Sequence, residues 1–245
     1  MRPAASRGGG SGGGGSVRGG MARVEFALLA GAPPEEVAEL LARGRRRRFG
    51  AGEVVFHAGD PADCLHLVRS GRFAVRITTE YGDVATLNVV GPGESFGELA
   101  LLSPEVARSA TVAALEEAET LSIHEHDFRR LRRERPQTDA LLARLLAAHV
   151  RRLSAQLAEA LYLPAETRVR RRLLDVAAAY GADGAPGTRI PLTQEELASL
   201  AGTSRATVNR VLRFEAEKGT IELARGRTTL RDPDGLRQRA RGLFG

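Results

Sequence analysis

The chain has 245 residues, with 36 Lys+Arg against 30 Asp+Glu, a formal net charge of +6 and one cysteine. That length suits two modest domains or one large one and can bury a real core, and a lone cysteine excludes an internal disulfide framework and a four-cysteine iron–sulfur site. No apolar run nears the ~20 residues of a membrane span, and the N-terminus lacks the apolar segment of a signal peptide, so a cytoplasmic protein with no membrane partner is expected.

The charge is unevenly spread. Residues 21–136 hold 15 basic against 18 acidic side chains, and residues 164–245 hold 15 against 10. The basic excess at the C-terminal end favours a polyanionic partner there, nucleic acid being the commonest.

In chain order, residues 1–20 are a Gly- and Ser-rich run that cannot bury apolar surface and is expected to be disordered. Apolar residues then recur at helical spacing to Ala42, with Pro33-Pro34 opening the helix "EEVAELLARG". Short β-rich runs follow: "GEVVFHAGD", "CLHLVRSGRFAVRITTEYGD", "VATLNVVGPGE", "SATVAAL" and "AETLSIHE". Turn signals at Gly59-Asp60, Ser70-Gly71, Gly82-Asp83 and Gly91-Pro92-Gly93 separate them, and Leu65/Leu67 and Phe73/Val75/Ile77 alternate as in a strand with one buried face. The spacing predicts a small antiparallel sandwich or barrel. Arg45–Arg48 reads as a strand with solvated charges and Cys64 as a small buried hydrophobe. After Pro136 a long helix returns, on which Leu142, Leu146, Val150, Leu153, Leu157 and Leu161 form a coiled-coil-like stripe. So thin a stripe fits either its own β domain or, preferably, a second copy of the helix, giving a homodimer. Beyond Pro164 a further helix carries Val169, Leu173, Val176 and Tyr180 on one face.

Within the β region, "FGELALLSPEVARSATV" sets a glycine, a glutamate and an arginine around a short apolar run. A glycine turn opening a short helix exposes the N–H groups of Glu98, Leu99 and Ala100 to an anion. Arg108 and Ser109 add donors for phosphate-like oxygens, and Glu98 would accept from a hydroxyl of the same ligand. Each residue also has a plain reading as turn, cap or ion pair, the pair being Arg108 with Glu98; the whole constellation favours a ligand site. The histidines at 57, 66, 124, 126 and 149 read as isolated surface or core residues, no metal site is indicated, and no nucleophile–base–orienter set points to an enzyme.

Near the C-terminus, "LTQEELASLAGTSRATVNRVLRFEAEKG" has the pattern of a helix-turn-helix. Thr193 and Glu196 form a capping box, Leu197 and Leu200 face inward, Gly202 makes the turn and Ser204 caps the second helix. Val208 and Leu212 point to the core, leaving Arg205, Thr207, Asn209 and Arg210 for the major groove. "TIELARGRTTLRD" then suggests a hairpin wing with Arg225 and Arg227 at its tip.

"FGELALL…RSATV", preceded by "GEVVFHAGDPADCLHLVRSGRFAV", resembles the phosphate-binding cassette of cyclic-nucleotide-binding domains, and the C-terminal segment resembles a winged helix. The family resembled, over about residues 28–235, is that of the catabolite activator protein and FNR transcription regulators. The resemblance implies an α+β chain: an N-terminal β-roll (jelly-roll-like) sensor over 21–136, a dimerisation helix over 137–163 and a winged helix-turn-helix over 164–245. It implies that Gly97, Glu98, Leu99, Ala100, Arg108 and Ser109 hold a cyclic nucleotide, cAMP or a relative, with Leu153 and Ser154 where cAMP-binding members carry an adjacent Thr and Ser against the base. It also implies that Thr193, Gln194, Ser204, Arg205, Ala206, Thr207, Asn209, Arg210, Arg225 and Arg227 meet double-stranded DNA at a roughly palindromic site, with RNA polymerase as a further partner and no cofactor besides the effector. Ala206 stands where the family has a glutamate, so the family's operator is not expected to carry over. The alternatives are a regulator of the same type answering to another ligand or to none, and a regulatory module of a signalling enzyme.

Overall fold

A computed structural model describes residues 25–30, 33–80, 82, 84–101, 107–134, 138–181, 184–224 and 227–241. The expected disorder of residues 1–20 and the wing residue Arg225 lie outside the described residues.

Helix α1 (Pro34–Arg43) begins with proline at its first position, carries Glu35 and Glu36 in its first turn and ends on Arg43, an order that suits the helix dipole. Eight strands follow: β1 (Arg45–Phe49), β2 (Val54–Phe56), β3 (Cys64–Ser70), β4 (Phe73–Thr78), β5 (Val84–Val90), β6 (Ser95–Phe96), β7 (Thr111–Ala114) and β8 (Ala118–His124). They form two antiparallel sheets of order β1-β8-β3-β6 and β2-β7-β4-β5. Phe49, Val68, Phe73, Phe96 and Val112 fill one apolar cluster built from both sheets. This is the antiparallel sandwich expected from the strand spacing.

Strand β3 departs from the one-faced pattern, for Cys64 through Val68 are all buried. Val68 belongs to that first cluster. Leu65 and Leu67 belong to a second, under α1 (Leu40), α2 (Glu125–Glu134; Phe128, Leu131) and the start of α3 (Thr138–Tyr162; Leu142). Helices covering the outer face bury what an open sandwich would have left wet.

At 25 residues, α3 is about 37 Å long at 1.5 Å per residue. Its apolar stripe divides. Leu142 is buried and Leu146 packs on the β domain, whereas Val150, Leu153, Leu157 and Leu161 are 62, 58, 60 and 66% exposed. Only the C-terminal part of the predicted stripe is therefore left open to a partner.

The chain then turns at Pro164 into α4 (Ala165–Tyr180), β9 (Arg189–Ile190), α5 (Gln194–Ala201), α6 (Arg205–Glu217), β10 (Ile221–Ala224), β11 (Arg227–Leu230) and α7 (Pro233–Arg239). Val169, Leu173 and Val176 of α4, Leu197 of α5, Val208 and Leu212 of α6 and Leu230 of β11 share one core. The pairing β10-β11-β9 makes the wing three-stranded, one strand more than the predicted hairpin. Val89 of β5 joins this core too, so the two domains touch.

Candidate functional site

Gly97 follows β6 and takes φ +81°, a left-handed conformation that disfavours any side chain. A Cβ there would also lie 2.7 Å from Nη1 of Arg108, so glycine is required both by its backbone and by the closeness of the guanidinium. The next four residues, Glu98–Leu101, form a 3-10 turn. Arg108 is fixed from the other side: its N–H donates to Asp60 O (2.8 Å) and its carbonyl accepts from Gly59 N–H (2.8 Å).

Within this frame the Arg108 side chain is 4% exposed. Nη1 donates to Cys64 O (2.8 Å), Nη2 to Asp63 Oδ1 (3.0 Å), and the guanidinium lies 4.0 Å over the Phe56 ring. Its Nε is buried without a partner. The plain alternative, an Arg108–Glu98 ion pair, is not formed. Glu98, 8% exposed, is instead met by Nδ1 of His149 at 3.1 Å. Burial alone would raise the Glu98 pKa, but the His149 hydrogen bond and charge outweigh it and hold the carboxyl below its ordinary range. Cys64 is buried, and burial together with Asp63 pushes its thiol up to about 11, far from a reactive thiolate. His66 is a core residue, its Nδ1 3.0 Å from Thr120 Oγ1 and its ring stacked on Phe96.

A cavity of about 450 Å³ opens between this cassette and α3. Gly97, Glu98, Leu99, Arg108 and Ser109 line it, with Leu153 from the helix. The side chain of Ala100 lies outside the described residues, and Ser154 is exposed and outside the cavity. Three further residues reach it from α3: Arg152 and Gln156, not singled out in the sequence, and His149, expected to be an isolated residue but paired here with Glu98. With Leu153 they fall at spacings of three, one and three residues, which puts them on one helical face; that spacing was the available signal. Arg108, Arg152 and His149 give the cavity wall basic side chains and Glu98 gives it a carboxylate, the kinds of group that an anion also carrying a hydroxyl would require. Among the described residues no group of three or more His, Cys, Asp or Glu is placed to hold a metal, and no helix is long and apolar enough to cross a membrane.

The second surface is the helix-turn-helix. Thr193 caps α5 through Glu196 N–H (3.1 Å) while Glu196 Oε2 accepts from Thr193 N–H (2.9 Å), the predicted capping box. Gly202 turns the chain at φ +58°. Ser204 caps α6, accepting from Thr207 N–H at 3.2 Å. Arg205, Ala206 and Arg210 are exposed on α6. Asn209 is tied to Gln194 Oε1 (3.2 Å) and Arg210 to Glu166 (2.5 Å). Arg213, not anticipated, shares a cleft with Ala206, Asn209 and Arg210, as i, i+3, i+4, i+7 spacing dictates. Across a groove of about 590 Å³, Arg227 of the wing faces Thr193, Gln194, Arg205 and Asn209.

A sandwich with this cassette, followed by a long helix and a winged helix-turn-helix, defines a ligand-responsive DNA-binding transcription regulator. Residues 46–135 match the cyclic nucleotide-binding domain family and residues 167–239 the Crp-like helix-turn-helix domain. The chain is 37% identical over 216 residues to the cyclic AMP receptor protein of Thermus thermophilus, covering 88% of this chain and 97% of that one. It is 31% identical over 216 residues to the CRP-like cAMP-activated global transcriptional regulator of Mycobacterium tuberculosis, covering 87 and 96%. A solved CRP-family transcriptional regulator, also from Thermus thermophilus, superposes with a TM-score of 0.66 at 27% identity over 79% of this chain and 96% of that chain. The chain belongs to the Crp-Fnr family of transcription regulators.

Proposed function

We propose that this regulator answers to a cyclic nucleotide, cAMP foremost, bound in the cavity between the cassette and α3. The observation that carries the reading is the Arg108 guanidinium, almost wholly buried and with Nε unpartnered, in a residue that lines the cavity together with Gly97 and Glu98. A buried cationic donor without an acceptor is costly, and a phosphate oxygen supplies that acceptor. Ser109 and the backbone N–H groups of the Glu98–Leu101 turn, that of Ala100 included, take the remaining phosphate oxygens. Glu98 accepts from the ribose hydroxyl, Leu153 covers the base from one helix, and Ser154 reaches it from the partner's. The names of the Thermus and Mycobacterium relatives favour cAMP over other cyclic nucleotides.

In this reading residues 1–20 are a tail, 21–136 the sensor, 137–163 the dimerisation helix and 164–245 the DNA-binding domain of a cytoplasmic homodimer without enzymatic activity. Arg205, Ala206, Thr207, Asn209 and Arg210 enter the major groove of a roughly palindromic site. Thr193, Gln194, Ser204, Arg225 and Arg227 hold its backbone, and RNA polymerase is the downstream partner. Calorimetry with cAMP and cGMP on the wild type and on Arg108→Leu tests it. We expect cAMP binding weakened at least ~30-fold in the variant, the floor for removing one member of a buried charged contact, with an unchanged circular dichroism spectrum. No heat with either nucleotide, or equal affinity in the variant, would overturn the reading.

A further inference from the structure

We infer that Glu166, in the first turn of α4, is a positioning residue for DNA recognition: it buttresses Arg210 of α6 and so sharpens the choice of one base pair in the half-site. This rests on the reading above that Arg210 enters the major groove. The two arginines placed there differ. Arg210 Nη2 donates to Glu166 Oε1 at 2.5 Å, whereas Arg205 has no hydrogen-bond or ion-pair partner among the described residues. A guanidinium carries five N–H donors in a planar fork. One contact on one nitrogen therefore leaves Arg210 a full pair of donors for the O6 and N7 acceptors of a guanine. A free arginine side chain has to be ordered on binding, and one already held loses less.

The frame that presents Glu166 is stiff. Two residues on, Arg168 donates to three carbonyls: Nη1 to Leu163 O (2.8 Å) just past α3, Nε to Ala201 O (2.9 Å) and Nη2 to Gly202 O (2.9 Å) in the turn between α5 and α6. One helical turn after Glu166, Arg170 Nε donates to Glu215 of α6 at 2.7 Å. The start of α4 is thus fixed to the helix-turn-helix on both sides of the carboxylate. An acid in the first turn also suits the dipole of α4. Its own N–H first, and then Arg210, hold the Glu166 carboxyl below the ordinary carboxylate range against burial. The dipole role needs no contact with α6, yet the carboxylate reaches a partner 44 residues away whose side chain is 68% exposed. A pair so exposed adds little to stability. Directing a cation that faces the groove is what remains for it to do.

A carboxylate near the groove also repels phosphate, so removing it strengthens binding to any sequence, and the deciding readout is a ratio between sequences. Randomised-site selection with the full wild-type chain, with and without cAMP, defines the half-site. Fluorescence anisotropy then compares that site with each of its single-base-pair variants for the wild type, Arg210→Ala, Glu166→Gln and Glu166→Ala. Arg210→Ala should lose about tenfold or more of the discrimination at one base pair. Glu166→Ala should lose about three- to fivefold at that same base pair and none elsewhere, as for an exposed ion pair. Glu166→Gln, which keeps an acceptor without the charge, should fall between, and Glu166→Ala added to Arg210→Ala should change no ratio. If Glu166→Ala raises affinity alike for every sequence and keeps the ratio at that base pair, the inference is overturned and the acid only repels phosphate. If Arg210→Ala relaxes no base pair, the groove reading of Arg210 is overturned instead, and the inference falls with it.

Discussion

At Glu215 a carboxylate with no exposed surface sits on α6. It accepts from Arg170 Nε (2.7 Å), Thr220 Oγ1 (2.6 Å) and Arg239 Nη2 (2.7 Å), so one buried group joins α4, α6 and α7. Burial works against its charge, but Arg239, Thr220 and Arg170 outweigh it and keep the pKa below the ordinary carboxylate range. A depressed folded pKa stabilises above the unfolded value, near 4.3, and that contribution is lost as pH falls through the lower folded value. Glu215→Gln should therefore cost about 3 kcal/mol at pH 7, the low end for breaking a buried pair because Arg239 keeps contact with water. The deficit should shrink on acidification below about pH 4. Urea unfolding of both chains at pH 7 and pH 3.5 checks it; a cost equal at the two pH values would remove the ionic account. Glu215 was invisible in the sequence, where it is one acid in "FEAEKG", because its partners lie 45 residues before it and 24 after. His149 was missed for the same reason, its partner Glu98 being on another element. Gly97 and Arg108 were readable since a φ-positive turn and its guanidinium stand eleven residues apart in one motif.

Among the elements, α3 shows what periodicity settles and what it leaves open. The stripe from Leu142 to Leu161 was legible as a stripe, but periodicity names a face and not what covers it. The chain's own β domain takes Leu142 and Leu146, and water now takes Val150, Leu153, Leu157 and Leu161. Four large apolar side chains in a row on one face of a long helix form the stripe that the proposed dimer would cover with a second helix. The two parts should respond differently to substitution. Val150→Glu with Leu157→Glu should place like charges in the seam and give monomers by light scattering, with each domain's unfolding unchanged. Leu142→Ala should cost about 2–3 kcal/mol of stability, as a buried leucine does, and leave the dimer intact. A dimer surviving the double glutamate variant would put the seam elsewhere. Strand β3 carries a related lesson: alternation predicted the Leu65/Leu67 face to be buried, and helices cover it, but the opposite face with His66 and Val68 is buried too, inside the sandwich, which no local pattern encodes.

Over the whole molecule, the arrangement of the two domains rests on a few polar contacts around a small apolar patch. Arg72, at the start of β4, donates through Nε to Ala179 O at 2.7 Å and lies 3.8 Å over the Tyr180 ring. Arg76 pairs with Glu196 of α5 at 3.0 Å, and Thr86 N–H of β5 donates to Ser199 of α5. Glu196 is also the capping-box acid, so the sensor holds the winged helix by the residue that starts its first helix. Each domain has its own core, with Val89 and Leu115 of the β domain joining that of the winged helix, so these contacts stabilise an arrangement and not a fold. Contacts present in only one of two arrangements bias the equilibrium between them by their own free energy. Two charged contacts of about 1 kcal/mol each amount to a shift of about thirtyfold if both are lost at once. If the docked arrangement is the one effector displaces, Arg72→Ala with Arg76→Ala should raise effector-free affinity for operator DNA by about an order of magnitude, while affinity with saturating effector changes little. Fluorescence anisotropy with and without cAMP measures both. Equal losses in the two conditions would mean that the docked arrangement is itself the one that binds DNA, and that the sensor holds the winged helix in place for the groove.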